Sequence, residues 1–171
     1  VQKSSIAINL SSGISIRGRK VLVVDVDPQS NTSVTLLQKE RYFKEVRKTL
    51  KDIFLGENVS KDDVIYHVND NLDLLPATLD LSMCETLTGD ITVASLLNIF
   101  LESYCNDYNY IFIDTPPSLS LFTNSALLAS DYVIIPTTLN EFSVRGLQQI
   151  FNVIDRIKRM RKIEILGIIR T

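Results

Sequence analysis

The chain has 171 residues, 45% hydrophobic and 22% charged, a size at which one compact domain burying roughly 70% of its unfolded surface is expected. Lys plus Arg total 18 against 20 for Asp plus Glu, a net charge of −2, so nothing in the overall balance draws it to nucleic acid or an anionic membrane, and such binding would need a local patch. No apolar run approaches the ~20 residues of a membrane span and no charged lead followed by an apolar stretch opens the chain, so a cytoplasmic protein is expected.

In chain order, Ile6, Leu10 and Ile14 recur at helical spacing and predict a first helix. Residues 20–26 (KVLVVDV) are a β-branched apolar run ending in acids and Pro28, the pattern of a fully buried strand. Strand-length runs follow at residues 72–76 (LDLLP), 110–114 (YIFID), 132–136 (YVIIP) and 163–169 (IEILGII). Val93, Leu96, Leu97, Phe100, Leu101 and Tyr104 predict a helix before YIFID; Val144, Leu147, Ile150, Ile154 and Ile157 predict another before the last strand. Alternating helices and near-continuous apolar strands imply an α/β fold, a mostly parallel sheet with helices on both faces and its ligand sites at the carboxyl ends of the strands.

Charge is uneven along the chain. Residues 39–51 carry six basic and two acidic side chains, residues 57–90 one basic and eight acidic, and residues 155–162 five basic and one acidic. Solvated helix faces explain the basic segments more simply than phosphate binding. Cys84 and Cys105 lack the spacing of a zinc site or a disulfide framework, so both are expected to be buried free thiols.

Three acids end apolar runs: Asp25, Asp27 and Asp114. A carboxylate there stands at the rim of the sheet, where metals and phosphates bind. Pro28 after Asp27, and Pro116 and Pro117 after Asp114, stiffen the turns beyond. Lys3-Ser4-Ser5 opens the first helix, whose free amides and neighbouring lysine suit an anion. It matches only the last part of the phosphate loop Gly-x-x-x-x-Gly-Lys-Ser/Thr.

The segments VQKSSIAINL, VLVVDVDPQSN, NLDLLPATLDL, YIFIDTPPSLS, DYVIIPTTLNEFSVRGLQQI and LGIIRT, in this order, resemble the ParA/Soj family of deviant-Walker, MinD-like P-loop ATPases, which partition chromosomes and plasmids. DVDPQSN and DTPPSL are the most specific pieces. The resemblance implies a P-loop NTPase fold of the SIMIBI/MinD-like type, truncated, as a single partial domain over residues 1–171. It implies ATP and Mg²⁺ as cofactors. Lys3 then matches the catalytic phosphate-loop lysine, Ser4 the Mg²⁺-binding hydroxyl, and Ser5 a residue beside the phosphates. Asp27 matches the catalytic acid that positions the attacking water and joins Ser4 and Asp114 in the metal set. Asp114 matches the Walker B acid, with Asp25 one layer behind, and Thr115, Pro116 and Pro117 fall on the switch that senses the γ-phosphate. The implied function is Mg-ATP binding and hydrolysis coupled to homodimerisation and nonspecific binding of nucleoid DNA. A ParB-like partner would stimulate hydrolysis, and no membrane is involved.

The sequence departs from this pattern at the phosphate loop. Gln2 stands where the family has a glycine, and neither the family's first loop lysine nor the strand before it precedes Val1. Residues 168–171 (IIRT) resemble the strand before the family's last third, so a middle section of the fold is expected, with ladder partners lost from two strands. A second reading is therefore a degenerate, non-hydrolysing remnant or binding module. A MinD-like membrane-recruited ATPase is a less expected reading, whose discriminating feature, a terminal amphipathic helix, would fall beyond the point where this sequence stops; a dinucleotide-binding enzyme is disfavoured because no G-x-G-x-x-G follows a strand. His67, the one histidine, lies in the polar stretch YHVNDN and reads as an exposed loop residue rather than a base.

Overall fold

A computed structural model describes residues 2–87, 91–138 and 141–171. Val1, Asp90, residues 139–140 and the side chain of Val144 lie outside the described residues. Helix α1 (Lys3–Ile16) leads into strand β1 (Val21–Asp25), buried along its whole length. Successive side chains of a strand point to opposite faces, so an unbroken apolar run needs cover on both sides, and β1 has it. Leu22 and Val24 enter a core with Leu50 and Phe54 of α4 (Leu50–Phe54), Leu97 and Leu101 of α6 (Ile91–Glu102) and Phe122 of α7 (Leu121–Leu128). Val21 and Val23 enter another with Ile14, with Leu37 of α2 (Asn31–Leu37) and with Tyr42 of α3 (Lys39–Glu45).

β1 lies parallel between β3 (Leu72–Leu75) and β4 (Tyr110–Asp114). β2 (Tyr66–Asn69) follows the short helix α5 (Lys61–Val64) and pairs antiparallel with β3, giving the order β2-β3-β1-β4. β5 (Tyr132–Thr137) and β6 (Glu164–Arg170) form a separate parallel pair, which packs on Ile154 and Ile157 of α8 (Glu141–Ile157). The α/β architecture and all five expected strands are present. The sheet is nevertheless in two pieces: among the described residues β4 pairs only with β1, and β5 only with β6. A cavity of about 100 Å³ is walled by Ile6, Ala7 and Leu10 of α1, Phe112 and Ile113 of β4, and Ile134 and Pro136 of β5. No helix among the described residues is long and apolar enough to cross a membrane.

Three expectations change. The stretch YHVNDN is not a loop: Tyr66 and Val68 turn inward while His67 and Asn69 face solvent, so a period-two pattern makes a half-buried edge strand out of a polar sequence. Cys84 is buried, but Cys105 is exposed, because it starts a short 3₁₀ turn (Cys105–Asp107) just past the apolar face of α6. Cover on both faces holds for β1 and for β3, whose Leu75 enters one core and Leu72 and Leu74 the other, but not for β6, which alternates and leaves Leu166 and Ile168 exposed.

Candidate functional site

The chain leaves β1 toward β3 on one side and returns to β4 on the other, an arrangement that opens a crevice at the carboxyl ends of the strands. Asp25 and Asp114 end these strands as register partners, 0% and 2% exposed. Helix α1 runs antiparallel to them. Its last turn meets the start of β3, where Asn71 Nδ2 donates to the Ser15 carbonyl at 3.3 Å, so its first turn reaches the crevice. Lys3, Asp114 and Thr115 line one part of the cavity between β4 and β5. Pro116 beyond them is buried and Pro117 exposed.

The segment between β1 and α2 folds onto its own acids. Asp25 Oδ1 accepts from the Asp27 amide at 3.1 Å, and Asp25 Oδ2 accepts from the Ser33 amide at 2.8 Å and the Ser33 hydroxyl at 2.7 Å. Asp27 Oδ1 accepts from the Gln29 amide at 2.9 Å, and the Ser30 amide donates to the Asp27 carbonyl at 2.8 Å. Closing this turn puts Ser30 at φ 50, a left-handed conformation that strains an L side chain. Two buried hydroxyls then tie α2 to the rest of the fold. Thr32 Oγ1 donates to Asp114 Oδ2 at 2.6 Å, and Ser33 Oγ also accepts from the Ala77 amide at 3.0 Å. Tyr42 donates to the Ala77 carbonyl at 2.8 Å.

Burial pushes the Asp25 carboxyl up to about 7; the Ser33 and Asp27 hydrogen bonds oppose the shift, and the charge of Asp114 adds to it. Burial also holds Lys3 below the usual lysine range, while Asp114 and Asp27 pull it back. Asp27 therefore lies within electrostatic reach of Lys3 although no ion pair joins them among the described residues. Gln2 caps α1 at φ 44 and ψ 15 with no side-chain hydrogen bond. The amides of Lys3, Ser4 and Ser5 precede the first ladder bond, from the Ile6 amide to the Gln2 carbonyl at 3.0 Å, so they have no acceptor within the helix.

Asp114 Oδ1 is buried and has no hydrogen-bond partner among the described residues. Such an orphan in a native site calls for a reason, an ion or water among them. Among the described residues no three His, Cys, Asp or Glu are grouped to hold a metal. Magnesium does not require such a cage, since it keeps several waters and takes one or two carboxylates beside phosphate oxygens. Asp114 Oδ1, with Lys3 in the same cavity and the first amides of α1 without a helical acceptor, suits a hydrated Mg²⁺ with a phosphate chain.

A family of AAA domains, AAA_31, matches residues 1–166. The chain belongs to it. Within this family it is 34% identical over 178 residues to the chromosome partitioning protein ParA of Caulobacter vibrioides, covering 100% of this chain and 65% of that protein. Its structure resembles a plasmid partition protein of Borrelia burgdorferi, with TM-score 0.85 and 32% identity over 98% of this chain and 73% of that one. It also resembles cobyrinic acid a,c-diamide synthase of Mycobacterium smegmatis, solved with an ATP analogue and magnesium, with TM-score 0.87 and 25% identity over 99% and 69% of the two chains. The chain spans 54% to 68% of the length of the curated relatives it matches. It is thus a ParA/Soj-type chain with a P-loop NTPase fold.

In this ParA-like chain the expected residues Lys3, Asp114 and Thr115 share one cavity, Asp27 faces Lys3 electrostatically, and Ser4 and Ser5 open α1 beside them. Thr32, Ser33 and Ala77 also belong to the site's framework, and sequence reasoning missed them. Their signal in the sequence is slight, because both side chains reach across to strand ends far along the chain or on another element.

Proposed function

We propose that the chain is the nucleotide-binding part of a partitioning ATPase that binds Mg-ATP at the carboxyl ends of β1 and β4. The observation that carries this reading is the buried, unpartnered Asp114 Oδ1 at the crevice that Lys3 enters. Lys3 and the free amides of α1 bind the phosphates, while Ser4 and Asp114 hold the hydrated cation. Asp27 accepts a hydrogen bond from the attacking water and orients it toward the γ-phosphate; Thr115 and Pro116 follow the state of that phosphate. Bound magnesium supplies charge neutralisation at the β- and γ-oxygens. In the whole protein, ATP binding brings two copies together, the dimer binds DNA without sequence preference on the nucleoid, and a ParB-like partner accelerates hydrolysis.

Gln2 favours a second reading, a nucleotide-binding module that does not turn over. Its left-handed backbone is one that glycine adopts freely, and a side chain there crowds the approach of backbone to phosphate. Lys3→Ala tests the first reading. It should weaken binding of a fluorescent ATP analogue tenfold or more, as expected for a lost charge-assisted contact of roughly 1.5–3 kcal/mol. Unchanged affinity would refute a phosphate site at Lys3. Binding without turnover, followed by turnover in Gln2→Gly, would locate the block in the loop.

A further inference from the structure

Two adjacent hydroxyls at the start of α2 reach the two carboxylates that end neighbouring strands. Ser33 donates to Asp25 Oδ2 at 2.7 Å, Thr32 donates to Asp114 Oδ2 at 2.6 Å, and all four residues are buried. The two contacts have different consequences. Both oxygens of Asp25 are engaged, so that carboxylate anchors the turn and the start of α2. Asp114 has one oxygen held by Thr32 and one, Oδ1, with no partner among the described residues. The plane of an aspartate carboxylate turns freely about its terminal torsion unless a bond fixes it. The short bond from Thr32 takes Oδ2 to the α2 side and leaves Oδ1 as the oxygen available to the cavity that Asp114 lines with Lys3.

We propose that Thr32 is a positioning residue for the cation: its hydroxyl fixes the plane of the Asp114 carboxylate, holding the unbonded oxygen toward the site, and links cation binding to the order of the segment carrying Asp27. The inference rests on the Mg-nucleotide reading above. The link follows from chain connection. Thr32 stands five residues after Asp27, and the turn between them is closed by the Ser30–Asp27 and Gln29–Asp27 hydrogen bonds. Whatever holds Asp114 in place therefore also holds that turn, and by reciprocity a cation on Oδ1 stabilises it. Outer hydrogen bonds of this kind orient metal-binding side chains and are worth about tenfold or more in affinity.

The test uses the full chain, a non-hydrolysable fluorescent ATP analogue, and Mg²⁺ titrated from an EDTA-treated start. Thr32→Val keeps the shape and removes the hydroxyl, and Thr32→Ser keeps the hydroxyl. Thr32→Val should need about tenfold more Mg²⁺ for half-saturation while its magnesium-free affinity for the analogue is unchanged, and Thr32→Ser should stay within about twofold of the native chain. Hydrogen exchange of the amides of Gln29 and Ser30 should slow on adding Mg²⁺ and analogue to the native chain, and far less in Thr32→Val. A native magnesium response in Thr32→Val overturns the inference and leaves the nucleotide site standing. Equal loss of magnesium-free affinity makes Thr32 purely structural and overturns it too. A native chain that binds the analogue with no magnesium response removes the cation site, and the inference with it.

Discussion

The two ends of the same strands hold similar charges and treat them in opposite ways. At the carboxyl ends, Asp25 and Asp114 are sealed from water and satisfied by helix amides and hydroxyls, except at Asp114 Oδ1. At the amino ends a wider groove of about 370 Å³ is lined by Lys20, Lys61, His67, Asp73, Asp107 and Tyr108. There each acid named next has a partner near solvent: Asp73 accepts from Tyr108 at 3.0 Å and faces His67 Nδ1 at 2.9 Å, and Lys61 pairs with Asp107. Burial and the charge of Asp73 push the Tyr108 hydroxyl well above the usual tyrosine range, so it stays a donor. The larger hollow is thus the quieter one. An unsatisfied buried oxygen marks a site better than volume does, because its cost persists until a ligand or water meets it.

Substitutions at the two ends put that contrast to measurement. Ser33→Ala takes a donor from Asp25 and an acceptor from the Ala77 amide, both buried, and should cost about 3 kcal/mol by urea unfolding; a cost under about 1 kcal/mol would erase the distinction between the ends. The second effect is a pH dependence. With Asp25 at about 7 in the folded chain and an ordinary value of 3.8 when unfolded, the folded state holds a proton that the unfolded state has released. This contribution to stability is full below the ordinary aspartate range and is lost as pH rises through 7, a fall on the order of 4 kcal/mol in magnesium-free buffer. Asp25→Asn should flatten that slope in unfolding midpoints measured between pH 4 and 8, and an unchanged slope would assign it to other groups. The smallest effect belongs to His67→Ala. Its cross-strand pair with Asp73 is solvent-exposed on the histidine side, so the loss should stay below about 1 kcal/mol and shrink further in high salt.

Much of this molecule is legible from short stretches of chain. KVLVVDV could only be a strand covered on both faces, and β1 is one. DVDPQSN and DTPPSL carry the family resemblance, and Gln2, a side chain in a family glycine position, has a positive φ. YHVNDN was opaque, because a four-residue edge strand with one wet face has little apolar signal. Cys105 was opaque too, since exposure just past a helix end depends on where the last turn stops.

Strands, helices and strand-end acids follow from periodicity and turn chemistry, which act over a few residues and can be read off the chain. The bond from Thr32 to Asp114 joins positions 82 residues apart, and that from Ser33 to Ala77 positions 44 apart. Only the packing of α2 across β1, β3 and β4 decides such partners, and it alone decides that one carboxylate oxygen is left without any. A hydrogen bond is specified by three-dimensional distance and direction, and no local pattern in the chain carries either.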